Sequence, residues 1–342
     1  MVRTFVLGIV QGLTEFLPIS SSAHLSIVPK LLGFRTPELA YDVLLHFGTL
    51  AAVVVYFARD LWSFALSLVA PGVLGPEQAR ARRRQLGLLA IASVPAAIFG
   101  YLLQDWADAQ TSRPLRSAVW LVATTGIMIG AELWARAQAA RPVAAHEATR
   151  ASGPRKRAAA EAPAAAALEQ EQPRQTPSQV QLAPATARPM TRAEIHQRHH
   201  QRRARPAQPG SAEEELERLP LGKAVGIGVA QAVALIPGTS RSGVTISAGL
   251  FQGVSREAAA RFSFLLSIPA ILGAGALKLS DLQHATETPA QLVVGFLAAA
   301  VSGFLAVSFL IRLLRTRTLW PFIWYRLVAG TLFVVLLATV RG

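Results

Sequence analysis

GIVQGLTEFLPISSSAHL at Gly8–Leu25 and GIGVAQAVALIPGTSRSGVTIS at Gly226–Ser247 decide how this chain is read. Each stretch opens as a Gly-rich apolar half-helix carrying one glutamine, Gln11 or Gln231. A proline then interrupts it (Pro18, Pro237), and hydroxyl clusters follow at Ser20–Ser22 and Thr239–Ser242. Backbone that breaks at membrane depth must be buried in protein or line a wet cavity. Glu, His and Arg at that depth are costly enough to mark function. Two related broken segments, one per half, point to a site where the halves meet.

The surrounding composition supports a membrane setting. The chain is 52% hydrophobic over 342 residues with a mean hydropathy of +0.37, too apolar for an ordinary soluble domain. It has no cysteine, which excludes disulfides, thiolate nucleophiles and Cys-ligated metals. The net charge of +14 sits in loops and one polar linker, without the aromatic-interleaved groove of a nucleic-acid binder. It reads instead as positive-inside topology and attraction to anionic lipid. The N-terminus lacks the basic, apolar and small-residue regions of a cleaved signal peptide.

About twenty apolar residues cross a bilayer. That rule gives six spans, near 41–59, 84–105, 115–138, 255–278, 290–313 and 320–340. The broken segments, about 2–32 and 221–252, have arms too short to cross and read as re-entrant helical hairpins. The expected fold is therefore an all-α integral membrane protein with six transmembrane helices and two re-entrant hairpins arranged as an inverted repeat. Its first repeat is 1–138 and its second is 220–342. Between them, 139–219 is rich in Ala, Arg, Gln and Pro with runs of alternating charge, and reads as a disordered linker. Ser93-Val94-Pro95-Ala96 and Ser267-Ile268-Pro269-Ala270 extend the repeat beyond the hairpins.

Three spans per half require the second copy to insert upside down. The loop carrying Arg59, Arg80 and Arg82–Arg84, the loop with Arg312, Arg315 and Arg317, and the linker then share one side. Asp105, Asp108, Asp281 and Glu287 lie on the other. Lys/Arg excess marks the cytoplasm. The linker is thus expected in the cytoplasm, both termini outside, and the hairpin tips meeting within the membrane.

The tips hold the chemistry. Gln11 and Glu15 share one helical face. Ser20, Ser21, Ser22 and His24 follow the break, where a second half-helix would begin and its N–H groups would attract anions. In the other tip, Pro237-Gly238-Thr239-Ser240-Arg241-Ser242-Gly243 repeats this with a guanidinium, a natural partner for phosphate oxygens. Together they supply an anion cradle, a cation, a nucleophile, a base and a carboxylate, the inventory of phosphoryl or acyl transfer. Blander readings stand beside this. Ser20 and Ser22 could equally be packing or capping groups, and Arg241 could form a structural salt bridge to Glu15. Asp42 and His46 read as a helix-end pair or as outer support of the site and not as primary chemistry, and Arg326 as a side chain snorkelling to the interface.

These motifs resemble those of the bacitracin-resistance family of undecaprenyl-diphosphate phosphatases. The (E/Q)xxxE element is matched by Gln11 through Glu15, FLP-x-SS and a following His by Phe16–Ser21 and His24, and PGxSRSxxT by Pro237 through Thr245. The resemblance covers both membrane halves and omits only 139–219. It implies hydrolysis of a C55 polyprenyl diphosphate to the monophosphate carrier of cell-wall assembly, and with it bacitracin resistance. It also implies a divalent cation, Mg2+ or Ca2+, and a multi-pass protein of the bacterial inner membrane whose site faces outward.

By the same resemblance, Ser21 is nucleophile or water-positioning hydroxyl, with His24 as its base and later acid. Glu15 holds the metal or acts as base, and Gln11 lends the metal a neutral oxygen. Arg241 neutralises the transferred phosphoryl group, with Ser20, Ser22, Gly238, Thr239, Ser240, Ser242 and Thr245 as the phosphate-binding set. Whether Ser21, His24 or a water attacks stays open. Gln at the first position of (E/Q)xxxE places one fewer negative charge on the metal. The expected partners are the lipid substrate and membrane lipids, without nucleic acid and with a homodimer left open. A transporter or flippase of the carrier is the alternative function, since inverted repeats with broken helices are also transporter architecture. An interaction protein acting through the linker is a third.

Overall fold

The computed structural model describes residues 1–34, 39–111, 113–140, 211–278 and 287–339. The described residues are helical, without a strand among them. In chain order the helices are α1 Val2–Phe16, α2 Ser21–Leu31, α3 Leu39–Tyr56, α4 Ala58–Val69, α5 Pro71–Leu74 and α6 Pro76–Leu102. There follow α7 Gln104–Thr111 and α8 Pro114–Ala140, the latter with one irregular turn at Thr124. The second half holds α9 Ala212–Glu217, α10 Leu221–Val233, α11 Arg241–Phe251, α12 Arg256–Leu277, α13 Pro289–Leu314 and α14 Trp320–Thr339.

Five of these, α6, α8, α12, α13 and α14, are long and apolar enough to cross a membrane. The expected span at 41–59 is not straight: the chain bends by 73° between Tyr56 and Ala58, and α3 with α4 makes a sixth crossing only if the bent pair is one span. The span expected from 84 begins at Pro76, so Arg80 and Arg82–Arg84 lie inside α6 and not in a loop. Both internal prolines, Pro95 and Pro269, are carried within continuous helices. Asp281, the side chain of Asp108 and residues 141–210 of the expected linker lie outside the described residues.

Residues 211–219 depart from the linker reading. Ser211 caps α9 by accepting from the Glu214 N–H, and Leu216 and Leu219 are buried. Arg84 donates to the Glu217 and Leu219 carbonyls, and Glu215 accepts from the Ser255 N–H at 2.9 Å. The acidic run EEELE looks solvated by composition, but the basic ends of α6 and α12 supply its partners.

Small residues set the close packing. Gly8 and Gly12 of α1 lie against Gly295, Ala299 and Ser302 of α13, and a Cβ at Gly12 would overlap Ser302 Oγ. Gly228 of α10 presses on the Ala92 carbonyl of α6 in the same manner. Without a hydrophobic drive between helices in lipid, this close approach is what holds them. Phe16 at the end of α1 meets Phe264 of α12 edge to face, with ring centroids 5.4 Å apart.

Ion pairs mark the two ends of α13, which stand about 39 Å apart at 1.5 Å per residue. At its N-terminal end Glu287 pairs with Arg3 of α1, and Tyr41 donates to the Thr4 carbonyl at 2.8 Å. At its C-terminal end Arg315 pairs with Glu257, while Arg261 pairs with Glu213. The N-terminus of α1 therefore lies at one end of the bundle and the start of α10, beside α9, at the other. Buried Glu132 of α8 braces the second end, accepting two bonds from Arg256 at 3.0 and 2.6 Å and one from the Leu319 N–H.

Candidate active site

The two breaks meet. In the first, α1 stops at Phe16, Pro18 follows, and Ser20 caps α2 by accepting from the Ala23 N–H. In the second, Ser240 caps α11 by accepting from the Gly243 N–H at 3.2 Å. The tips are tied reciprocally. The Gly238 N–H donates to Ser22 Oγ at 3.0 Å, and Ser242 donates to the Leu17 carbonyl at 3.3 Å. Gly238, at φ 94° and tight against the Ser117 carbonyl, has room for no side chain. Ser20 has φ 75°, the only positive value for a non-glycine among the described residues. Such a conformation costs about 1–3 kcal/mol and persists only where its surroundings impose it.

Glu15 is the hub. Its Oε1 accepts from Arg241 Nη2 at 2.9 Å, and its Oε2 accepts from Ser21 at 2.7 Å and from the Gln11 amide at 3.2 Å. The ion pair joins residues 226 apart in sequence with side chains 7% and 14% exposed, so little water screens it. His46 Nε2 stands 3.8 Å from the same Oε2. The salt bridge to Glu15 that the sequence offered as the blander alternative for Arg241 is present between the tips. Arg241 Nη1 and Thr239 Oγ are buried without a partner, two donors beside the helix N-terminus that an anion would satisfy. Thr245 Oγ1 is committed to the Arg241 carbonyl at 2.8 Å and to the Ser263 hydroxyl at 2.6 Å.

His24 is placed differently from expectation. Its Nδ1 bonds the Ser20 carbonyl at 2.7 Å and its Nε2 bonds the Tyr325 hydroxyl at 2.8 Å. A carbonyl only accepts, so Nδ1 carries the hydrogen and Nε2 accepts from Tyr325. Both ring nitrogens are used, and the hydroxyl of Ser21 goes to Glu15 instead. Tyr325, stacked on the ring, and Phe333, edge-on to it, are neighbours the sequence did not reveal.

Arg326 does not snorkel. It is 1% exposed and donates to the Leu121 and Pro18 carbonyls and to Thr124 and Thr125. It holds the Pro18 carbonyl at the break. An arginine inside an apolar span was the available signal, and the interface was the wrong destination for it.

A divalent cation fits this donor set. Among the described residues no three His, Asp or Glu side chains form a cage. Gln11, however, is fully buried and its Oε1 has no partner, next to the Glu15 carboxylate and the Ser21 hydroxyl. A hard cation held by one carboxylate, a neutral oxygen and substrate phosphates needs no more from the protein.

The sequence model of the bacitracin resistance protein family BacA matches residues 4–158 and 189–332. The undecaprenyl-diphosphatase of Alcanivorax borkumensis is 38% identical over 340 residues, 98% of both chains. That of Chlorobium phaeovibrioides is 35% identical over 98% of this chain and 97% of its own. That of Geobacter sulfurreducens is 36% identical over 95% and 94%.

Proposed function

The chain belongs to the bacitracin resistance protein family, and from that premise we propose that it hydrolyses undecaprenyl diphosphate to undecaprenyl phosphate at the joined tips. This recycles a cell-wall lipid carrier and confers bacitracin resistance. One observation carries the assignment of the centre: Ser21 and Arg241, the first residues of α2 and α11, both bond Glu15.

In this reading Ser21 Oγ attacks the terminal phosphorus while its proton passes to Glu15, 2.7 Å away. The bond from that phosphorus to the bridging oxygen breaks, and undecaprenyl phosphate leaves. Water then attacks the phosphoserine, giving its proton to a carboxylate freed as the serine oxygen is reprotonated. Arg241 Nη1, the Thr239 hydroxyl and the α11 N-terminus receive the charge on the transferred group. His24 sets the strained Ser20 turn through its bond to the Ser20 carbonyl. Gln11 and Glu15 would hold the Mg2+ or Ca2+, which shields the diphosphate when bound. A largely apolar cavity of about 530 Å³, lined by Trp106, Leu115, Trp120, Ile236 and Pro237, gives the prenyl chain a route to the tip.

The finer architecture belongs to the same proposal. The pairs α1–α2 and α10–α11 are re-entrant hairpins of an inverted repeat, supported by their entry from opposite ends of the bundle. The end with Arg84, Arg261 and Arg315 faces the cytoplasm, and the centre opens outward.

Phosphate release from a C55 polyprenyl diphosphate by the purified protein, with and without Mg2+ or Ca2+, tests this. Metal-dependent release lost in Arg241→Ala supports the enzyme. A carrier transporter predicts lipid binding without release, and indifference to Ser21→Ala.

A further inference from the structure

We propose that His46 is a direct ligand of the divalent cation, making a mixed nitrogen–oxygen site of Gln11 Oε1, Glu15 Oε2 and His46 Nε2. The inference deepens the proposed centre and rests on that reading.

Three observations carry it. His46 Nδ1 bonds the Asp42 carbonyl at 2.8 Å, which places a ring hydrogen on Nδ1 and leaves Nε2 facing Glu15. An imidazole whose other N–H is given to a backbone carbonyl is the usual arrangement of a metal-ligating histidine. The separation also fits. Nε2 and Oε2 lie 3.8 Å apart, too far for a hydrogen bond. Two donors about 2.1 Å from one ion stand roughly 3.0 Å apart at a right angle and roughly 4.2 Å apart in line. Finally, Gln11 is fully buried with Oε1 unpartnered, while its Nε2 bonds the same Oε2. A half-turn of the amide aims its oxygen at the side of the same Oε2 that its nitrogen now occupies. Ser21 keeps its bond to Oε2, and Arg241 stays on Oε1.

A nitrogen donor changes which ions the site prefers. Carboxylate and amide oxygens suit Mg2+ and Ca2+, whereas an imidazole favours first-row ions such as Mn2+, Co2+ and Zn2+.

The test is Mn2+ bound to the full chain in detergent, with C55 polyprenyl diphosphate present, read by electron spin-echo modulation. The wild type should show coupling to a coordinated imidazole nitrogen, shifted by 15N-histidine labelling. The chain has six other histidines, so assignment is by difference: His46→Gln should lose that coupling. It should also bind Mn2+ more weakly, on the order of tenfold, with a smaller change for Ca2+. The 15N experiment stands on the wild type if the variant fails to fold. No Mn2+ binding, no nitrogen coupling in the wild type, or coupling unchanged in His46→Gln overturns the proposal. Phosphate release without nitrogen coupling sinks this inference alone. Nitrogen coupling without release sinks the phosphatase reading and leaves the metal site standing.

Discussion

The two tips are built on one plan and loaded with different chemistry. Counting from each cap, Ser20 matches Ser240, Ser21 matches Arg241, Ser22 matches Ser242 and Gln11 matches Gln231. In both tips the two flanking serines stand 3.2 Å apart and the first caps the following half-helix. The plan is broken at several pairs, two of them at the charged centre. Glu15 stands opposite Leu235, and Ser21 opposite Arg241. Those exceptions are the residues that touch each other, so the duplicated frame presents two helix N-termini and the exceptions supply nucleophile, base and cation. The backbones differ as well: Ser20 is held at φ 75° and its counterpart Ser240 relaxes to −75°. His24 and Arg326 grip only the first tip.

Removing an exception should do the most damage. Glu15→Gln strips the acceptor from Ser21 and leaves Arg241 without its counter-charge. Phosphate release should fall by about 10²–10⁴ in kcat. Arg241→Ala should lose about 10²–10³, and the double variant should cost less than the product, because the two side chains share one contact. Losses that multiply freely would mean that the tips act independently.

The grip on the first tip comes next. Arg326→Met frees the Pro18 and Leu121 carbonyls inside the bundle. It should lower stability by about 2–4 kcal/mol, seen as an earlier unfolding transition in detergent. Smaller effects separate the caps. Ser240→Ala should cost about 1 kcal/mol, and Ser20→Ala about the same, since serine and alanine carry the same Cβ into the positive φ. Ser20→Gly should be milder than Ser20→Ala, whereas the two replacements at 240 should differ by less. Removal of 141–210 should change release least of all, provided Ser211–Leu219 is retained with its bonds to Arg84 and Arg261.

Much of this was legible in the sequence because it rests on local chemistry. A proline followed by hydroxyls in an apolar run announces a break with a capped restart, and both were found where the residues stood. A salt bridge between Glu15 and Arg241 was one of two readings open for Arg241, because both charges sit in the tips. Ser21 is not bonded to His24, since three residues of spacing says nothing about a ring turned back to the carbonyl of the residue whose hydroxyl caps its helix. Ser21 reaches Glu15 across the break, and that depends on the strained turn at Ser20. Arg326 and Tyr325 were hidden for another reason: their partners lie about 200–300 residues away in α8 and the first tip. The acidic run in α9 looked solvated because its basic partners are supplied by α6 and α12.

The most direct test of the shared centre is a quenched single turnover with C55 diphosphate labelled in its terminal phosphate. The account predicts label transiently bound to the protein at Ser21. Ser21→Ala should lose both that label and release, by at least about 10²-fold. Release from Ser21→Ala at the wild-type rate would contradict it.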